Sequence, residues 1–508
     1  MPLINPIFYD LMALCAGGLF TLAFAPFNFS VLAIPALALL FASWQTGCTP
    51  LRASLRGFYF GLAAFALGVS WVYISIHDFG GADSVSSAAL TLTFVAFWAL
   101  FPALAGFLTV TLSAANAPII TAGIWLGIEY LRGTLLLNGF PWLLSGYSQL
   151  NTPLAGYIPL LGAYGTGFLL VLTTTLLLSL FTTQTYRMLK AGLLLILWLT
   201  GAGLHEVEWT KPQGKALTVA LIQGNIAQNE KWLPENKLDT LRLYRDLTEE
   251  HWDADVIIWP ETSIPAFLSE VDEFYLTPLQ QAAQQHNTDI IVSLPTEGER
   301  GEVYNSVLAL GQQRQIYSKN HLLPFGETMP LQPLSGYILK QLNIGLGDFT
   351  PGGAHQPLLT AAGLPFITSI CYEDAFGVTV ADGLEQAAFL VNVTNDAWFG
   401  DSLEPQQHLQ MAAMRALESG RYLLRATNTG VSAVINAKGQ TVAEAPSFTT
   451  TVLTASFQPM TGLTPYAWLG DTWLMGGILL ITLASLGYLH FAEAGKHLSV
   501  FTKRLKSH

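Results

Sequence analysis

The stretch Phe366-Ile367-Thr368-Ser369-Ile370-Cys371-Tyr372-Glu373-Asp374 decides how this chain is read. A short apolar run with strand character stops at a cysteine, and two acids follow closely. A strand of this kind is buried and rigid, so its end is a good place to hold a nucleophile. A lone cysteine beside isoleucine is more commonly a small core hydrophobe. The surrounding chain has to decide between the two.

Two further places repeat the pattern of an apolar strand ending at an ionisable residue. In Val256-Ile257-Ile258-Trp259-Pro260-Glu261, the proline ends the strand and Glu261 stands at its mouth. In Tyr317-Ser318-Lys319-Asn320-His321-Leu322-Leu323-Pro324-Phe325-Gly326-Glu327, Lys319 and Glu327 interrupt an apolar, proline-punctuated run. Taken singly, Glu261 is a helix cap, Lys319 a solvated amine and Cys371 core. Strand ends on one sheet edge converge, however, and these three residue types are chemically complementary. A thiol is mostly protonated at neutral pH, and a carboxylate can take its proton. An ammonium favours the thiolate and the oxyanion of a tetrahedral intermediate, and losing such a donor typically costs about 3–4 kcal/mol.

Composition divides the chain. It has 508 residues, 51% hydrophobic and 11% charged, with a net charge of −12. Only nine Asp, Glu, Lys or Arg residues precede residue 206. Seven apolar stretches lie there, at about 9–25, 28–44, 57–76, 87–113, 118–134, 158–181 and 188–204, and an eighth runs from about 471 to 491. The expected architecture is therefore a polytopic α-helical membrane domain of about eight spans over residues 1–205 and 471–508, with a water-facing domain over 206–470. Residues 135–157 contain Asn138-Gly139-Phe140-Pro141-Trp142 and read as an interfacial or re-entrant segment, or else a simple loop. Basic residues cluster at Arg52 and Arg56, at Arg187 and Lys190, and in the tail from Lys496 onward. With eight spans these share one side, which the positive-inside rule makes cytoplasmic. The C-terminus is then cytoplasmic, and the 206–470 domain faces the periplasm from a bacterial inner membrane. No basic residue precedes Arg52, so no cleavable signal is expected. The charge balance argues against nucleic acid. Three cysteines, Cys15, Cys48 and Cys371, suggest no disulfide framework.

Short β-rich runs in the polar part (216–223, 256–259, 289–293, 303–310, 366–370, 388–393) alternate with helical stretches at 234–251 and 277–286. That alternation predicts an α/β layered domain, with a hairpin turn at Ala437-Lys438-Gly439 near its end. Arg415, Glu418, Arg421 and Arg425 read as one helical stretch carrying structural ion pairs. The apolar, glycine-containing segment 328–350 reads as a mobile lid facing the membrane, with a core stripe as the alternative.

Trp259-Pro260-Glu261, Lys319 with Pro324-Phe325-Gly326-Glu327, and Cys371-Tyr372-Glu373 resemble the Glu–Lys–Cys signature of the nitrilase (carbon–nitrogen hydrolase) superfamily. Asn392–Gly400 and Arg421–Gly430 strengthen the resemblance. With the flanking helices, the whole chain resembles the superfamily's membrane branch, the apolipoprotein N-acyltransferases. The resemblance implies an αββα sandwich for 206–470. It implies Glu261 as general base, Lys319 as oxyanion stabiliser, Cys371 as nucleophile, Glu327 as a further essential acid, and Glu373 in either an active or a structural role. Trp232, Tyr372, Trp398 and Phe399 become the expected substrate contacts. The implied reaction needs no cofactor or metal. It moves an acyl chain, typically sn-1 of phosphatidylethanolamine, through a Cys371 thioester to the α-amine of the diacylglyceryl-cysteine that begins an apolipoprotein. The competing readings are a membrane-tethered amidase or nitrilase acting on a soluble substrate, and a transporter with an inert outer domain.

Overall fold

The computed structural model describes residues 6–45, 47–329, 349–378 and 383–505, with side-chain surroundings given as far as residue 491. Most of the expected lid, residues 330–348, lies outside the described residues.

The polar part is built on two six-stranded sheets packed face to face. The first takes β1 (Leu217–Gln223), β2 (Val256–Ile258), β3 (Asp289–Glu297), β4 (Val303–Leu310) and β5 (Arg314–Ser318). The second takes β6 (Leu359–Ala361), β7 (Leu364–Ile370), β8 (Phe389–Thr394), β9 (Leu423–Thr427), β10 (Ala433–Ile435) and β11 (Thr441–Glu444). A final strand, β12 (Thr451–Phe457), returns to the first sheet beside β1. Each sheet has three parallel central strands, β1–β2–β3 and β7–β8–β9, flanked by antiparallel ones. Because β5 is antiparallel to β4 and β4 to β3, β5 runs in the same sense as β2, and their C-terminal ends share one edge.

Side-chain alternation explains the layering. On β1, Val219 and Leu221 enter the core between the sheets, while Ala220 and Ile222 face the helices Lys237–Glu249 and Thr277–His286. On β7, Phe366 and Ile370 point between the sheets, and Ile367 packs on the helix Glu404–Ser419. The result is helix on sheet on sheet on helix, the αββα sandwich expected.

One element differs from the sequence expectation. The helix of Arg415 and Glu418 stops at Gly420, whose φ of +63° suits glycine. Arg421 therefore lies in a turn, donating to the carbonyls of Ala387, Leu384 and Gly462. Arg425 sits on β9. Only Arg415–Glu418 form the expected helical pair, at 3.0 Å.

Each of the eight apolar stretches contains a helix, but the count of eight spans is not confirmed. Among the described residues, four helices are long and apolar enough to cross a membrane: Ser84–Thr111, Pro153–Thr182, Arg187–His205 and Pro465–Phe491. Pro50–Gly68 with Val72–Phe79, bent by 63°, makes a fifth if the two form one broken span. Pro6–Thr21 and Ser30–Gln45 are shorter, as is Pro118–Tyr130. Close helix contact follows from small residues: a Cβ on Gly57 would lie 2.2 Å from the Pro102 carbonyl oxygen.

The segment after Tyr130 is neither an exposed loop nor a helix-length span. Residues 140–149 are buried, and the Arg132 guanidinium holds the carbonyls of Phe140 and Trp142, each at 2.7 Å. The segment packs against the sandwich. Gln407 Oε1 accepts from the indoles of Trp71 (3.2 Å) and Trp142 (2.8 Å), and its amide donates to the Gly68 carbonyl (2.9 Å).

Phe389 is buried between the sheets, its ring 5.2 Å from that of Phe366 and 5.0 Å from that of Phe457. Phe389→Ala should lower stability by about 3–5 kcal/mol, read by denaturant unfolding of the detergent-solubilised chain.

Candidate active site

Glu261, Lys319 and Cys371 each follow the C-terminal end of a strand: β2, β5 and β7 respectively. The structure sets Lys319 beside Glu261, and the Cys371 thiol is near enough for both charges to act on it. Lys319 Nζ lies 2.7 Å from Glu327 Oε2 and 4.0 Å from Glu261 Oε1. Both acids are bridged by one amide: Asn305 Nδ2, from β4, donates to Glu261 Oε1 at 2.8 Å and to Glu327 Oε1 at 3.2 Å. Glu327 also accepts the backbone N–H of Leu323 at 2.8 Å, which closes the loop that carries it. Glu327 thus positions the lysine directly.

The electrostatics follow from burial. Lys319 is 1% exposed. Burial alone disfavours its charge, but Glu327, Glu261 and the thiol outweigh that, and its pKa is raised. Burial raises Glu261 above the usual carboxylate range, with Lys319 pulling the other way. The Cys371 thiol is pushed up to about 12 by burial, then by Glu261, with Lys319 opposing. A resting thiol of this kind is protonated, so it needs a base beside it before it can act as a nucleophile.

Cys371 itself is partly buried and has φ +50°, in the left-handed region that a residue with a β-carbon rarely adopts. Such strain persists only where the surroundings over-determine it. Glu373 is one cause. Its carboxylate accepts from the backbone N–H groups of Ile370 (2.8 Å), Asn320 (2.8 Å) and His321 (3.0 Å) and from the Tyr317 hydroxyl (2.9 Å). It ties the Cys371 turn to the lysine loop, and burial raises its pKa. Between the two roles open to Glu373, this geometry favours the structural one.

The expected substrate contacts divide. Trp232 is half exposed, and Trp398 is 41% exposed with its ring edge-on to Phe79, 5.6 Å away. Phe399 packs on Trp71 at 4.9 Å. Tyr372 is buried, and its hydroxyl donates to the Gly139 carbonyl at 2.6 Å. It holds the nucleophile turn against segment 138–142 and does not line an open surface.

Three polar groups near the site were not singled out from sequence. Asn305 carried a signal, an amide inside the apolar run Val303–Leu310. Lys231 is buried, with Nζ donating to the Glu261 carbonyl at 3.1 Å, and burial lowers its pKa to about 8. The third is a buried cluster behind Cys371. His408, Asp396 and Glu404 place metal-ligating atoms within 4.8 Å of one another. The Arg425 guanidinium contacts Asp374 (3.1 Å) and Asp396 (3.2 Å), so the cluster already holds its own cation and forms an ion-pair network.

The fold and the strand-end Glu–Lys–Cys cluster define a domain of the carbon–nitrogen hydrolase class, and the Carbon-nitrogen hydrolase family model matches residues 218–466. A second model, Apolipoprotein N-acyltransferase N-terminal domain, matches residues 16–176. Curated relatives bearing the name apolipoprotein N-acyltransferase match nearly end to end. That of Methylococcus capsulatus is 47% identical over 91% of this chain and 92% of its own length. That of Nitrosomonas europaea is 41% identical over 94% and 97%, and that of Coxiella burnetii 38% identical over 90% and 95%. Among solved structures, Saccharomyces cerevisiae Nit3, described as a member of branch 10 of the nitrilase superfamily, aligns at 16% identity over 49% of this chain and 92% of its own, with a TM-score of 0.37. The chain belongs to the apolipoprotein N-acyltransferase family.

Burial raises the Glu404 carboxyl to about 7, with Asp396 adding to the effect. An unfolded glutamate titrates near ~4.3, so the folded state binds more protons between the two values, and stability falls as pH rises through that window. Glu404→Gln removes this contribution. The variant should lose less thermal stability than the wild type between pH 5 and pH 8, measured by differential scanning fluorimetry in detergent.

Proposed function

We propose that the chain is an N-acyltransferase that moves a fatty acyl chain from a membrane phospholipid to the α-amine of the diacylglyceryl-cysteine beginning an apolipoprotein. The observation that carries this reading is the convergence of Glu261, Lys319 and Cys371 at strand ends, packed against helices apolar enough for a membrane. The donor is the sn-1 ester of phosphatidylethanolamine. The site needs no cofactor. The sandwich, residues 206–470, faces the periplasm of the inner membrane, between helices at 1–205 and 471–508.

In the first half-reaction Glu261 takes the Cys371 proton as sulfur attacks the ester carbonyl. Lys319 stabilises the oxyanion, and its raised pKa keeps it charged throughout. The C–O bond then breaks, the protonated Glu261 gives its proton to the departing lysophospholipid oxygen, and a thioester remains. In the second, the acceptor amine attacks the thioester, Glu261 takes the amine proton, the C–S bond breaks, and Glu261 returns that proton to the Cys371 thiolate. Half-exposed Trp232 and Trp398 offer apolar surface to an acyl chain. A tethered amidase would share the cluster but has no use for so extensive a helical part.

Incubating the solubilised chain with phosphatidylethanolamine vesicles should give an acyl adduct on Cys371 by intact-mass spectrometry. Cys371→Ala should give none. Glu261→Gln should slow adduct formation by roughly 10²–10⁴-fold, and a normal rate in that variant would remove Glu261 as base. Hydrolysis of soluble amides without any lipid adduct would instead favour the amidase. Because Glu261 acts ionised and its pKa is raised, the acylation rate should climb with pH through a midpoint above the ordinary glutamate value of ~4.3. A pH–rate profile of adduct formation measures this.

A further inference from the structure

His408, on the helix Glu404–Ser419, is fully buried and takes no part in the two half-reactions. Its Nε2 lies 2.8 Å from Asp374 Oδ1 and 3.3 Å from the backbone carbonyl oxygen of Cys371. The Cys371 carbonyl can only accept, so in that contact Nε2 carries the proton and donates. The same Cys371 carbonyl accepts from Asn392 Nδ2 at 3.3 Å, and Asn392 in turn accepts from Arg425 at 2.6 Å. The other ring nitrogen, Nδ1, faces Asp396 (3.2 Å) and Glu404 (3.3 Å). Glu404 is fully buried, and apart from that contact neither of its oxygens has a hydrogen-bond partner among the described residues.

These contacts bear on the backbone of the nucleophile. A left-handed conformation at a residue with a β-carbon costs of order 1–3 kcal/mol and needs neighbours that hold it. Glu373 grips the turn through the Ile370 N–H on one side of Cys371. The Cys371 carbonyl is gripped on the other side, by one donor from β8 and one from the 404–419 helix. We infer that His408 is a positioning residue for the nucleophile: its Nε2–H holds the Cys371 carbonyl and the Asp374 carboxylate together, and so fixes the left-handed backbone that aims the thiol. The helix that delivers this donor is itself anchored on the membrane side, through Gln407 to Trp71 and Trp142 and through Glu418 Oε1 to the Ala163 N–H at 2.7 Å. The donor's position is thereby set by elements outside the nucleophile turn. The inference rests on Cys371 being the acyl-accepting thiol.

Two neutral substitutions separate this role from a general structural one. In His408→Gln the amide nitrogen reaches where Nε2 stood, so the carbonyl keeps its donor. In His408→Asn the amide matches Nδ1, so the contacts to Asp396 and Glu404 survive while the Cys371 carbonyl loses its donor. Full-length protein is mixed with phosphatidylethanolamine vesicles, and the rate of adduct formation is followed against lipid concentration. His408→Asn should lose about 100-fold in the maximal rate, the scale expected for a misplaced reacting group, with the half-saturating lipid concentration unchanged. His408→Gln should stay within about tenfold of the wild type on the same scale. Equal rates in the two variants, whether normal or low, overturn the inference, as does a loss confined to half-saturation. If His408→Asn does not accumulate, His408→Leu, which fills the same space without a donor, is read in its place against His408→Gln, and equal maximal rates in those two variants overturn the inference. The wild-type adduct and its absence in Cys371→Ala test the underlying reading separately: no adduct on the wild type defeats the acyl-transfer reading, whereas an adduct with indistinguishable His408 variants defeats only this one.

Discussion

An ammonium cannot be left alone in a protein interior, and Lys319 is such an ammonium. Moving it out of water carries a penalty that only close counter-charge offsets. Glu327 supplies it at 2.7 Å, and Glu261 adds to it from 4.0 Å. The two acids would repel one another if nothing intervened, and the Asn305 amide sits between them as a shared donor. The ensemble is overdetermined in one respect that matters for chemistry. Glu327 binds the lysine tightly and closes its own loop, while Glu261 stays at longer range with a raised pKa. One acid is tied to the cation and to its own loop, and Glu261 is the freer carboxylate of the two.

The second constraint is the backbone of Cys371. The thiol is delivered from a different sheet from the lysine and the glutamate, so the site exists only where the open edges of the two sheets meet. Glu373 joins them: it takes two N–H groups from the loop after β5 and one from the end of β7. A carboxylate with four donors is costly to bury and gives little net stability. Its value here lies in fixing the register between the two sheets at the edge that carries the site, where apolar side chains alone would slide more readily; Thr427 to Gln223 (3.4 Å) and the Thr360 N–H to Gln315 (2.7 Å) tie the sheets elsewhere.

Strand ends were the legible part of this chain. Apolar runs that stop at Pro260-Glu261, Ser318-Lys319 and Ile370-Cys371 mark both the sheet and the site, because the same change from buried to polar surroundings ends the strand and exposes the functional group. β9 was not legible. Arg421 and Arg425 fall at helical spacing after a real helix, and only Gly420 breaks it. The burial of a charged Arg425 inside a strand depends on Asp374 and Asp396, which are distant in sequence. His408 was hidden for the same reason: its partners come from the turn after β7, the turn after β8 and its own helix. The count of spans was poorly legible because apolar composition does not report length. Pro118–Tyr130 and Ser30–Gln45 are as apolar as the longer helices but too short for a simple crossing, and the helix near Gly68 bends by 63°.

The relation between the helical part and the sandwich follows from where the nucleophile turn is buried. Tyr372, Ala375 and Phe376 belong to the same apolar cluster as Phe60, Trp71, Trp142 and Leu170 of the helical part. The Trp142 and Tyr372 rings stack at 6.1 Å, and the Tyr147 hydroxyl donates to the Ala375 carbonyl at 3.2 Å. On the lysine side, Asn138 donates to the Leu322 carbonyl and its own carbonyl meets His321 Nε2. A sandwich merely tethered to a membrane would bury its nucleophile turn within itself. Here, separating the two parts would expose an aromatic cluster and strip hydrogen bonds from both loops that shape the site, and hydration of the freed groups would not offset that cost. The helical part is therefore a wall of the candidate site, and the Cys371 turn is framed on one side by the apolar helices.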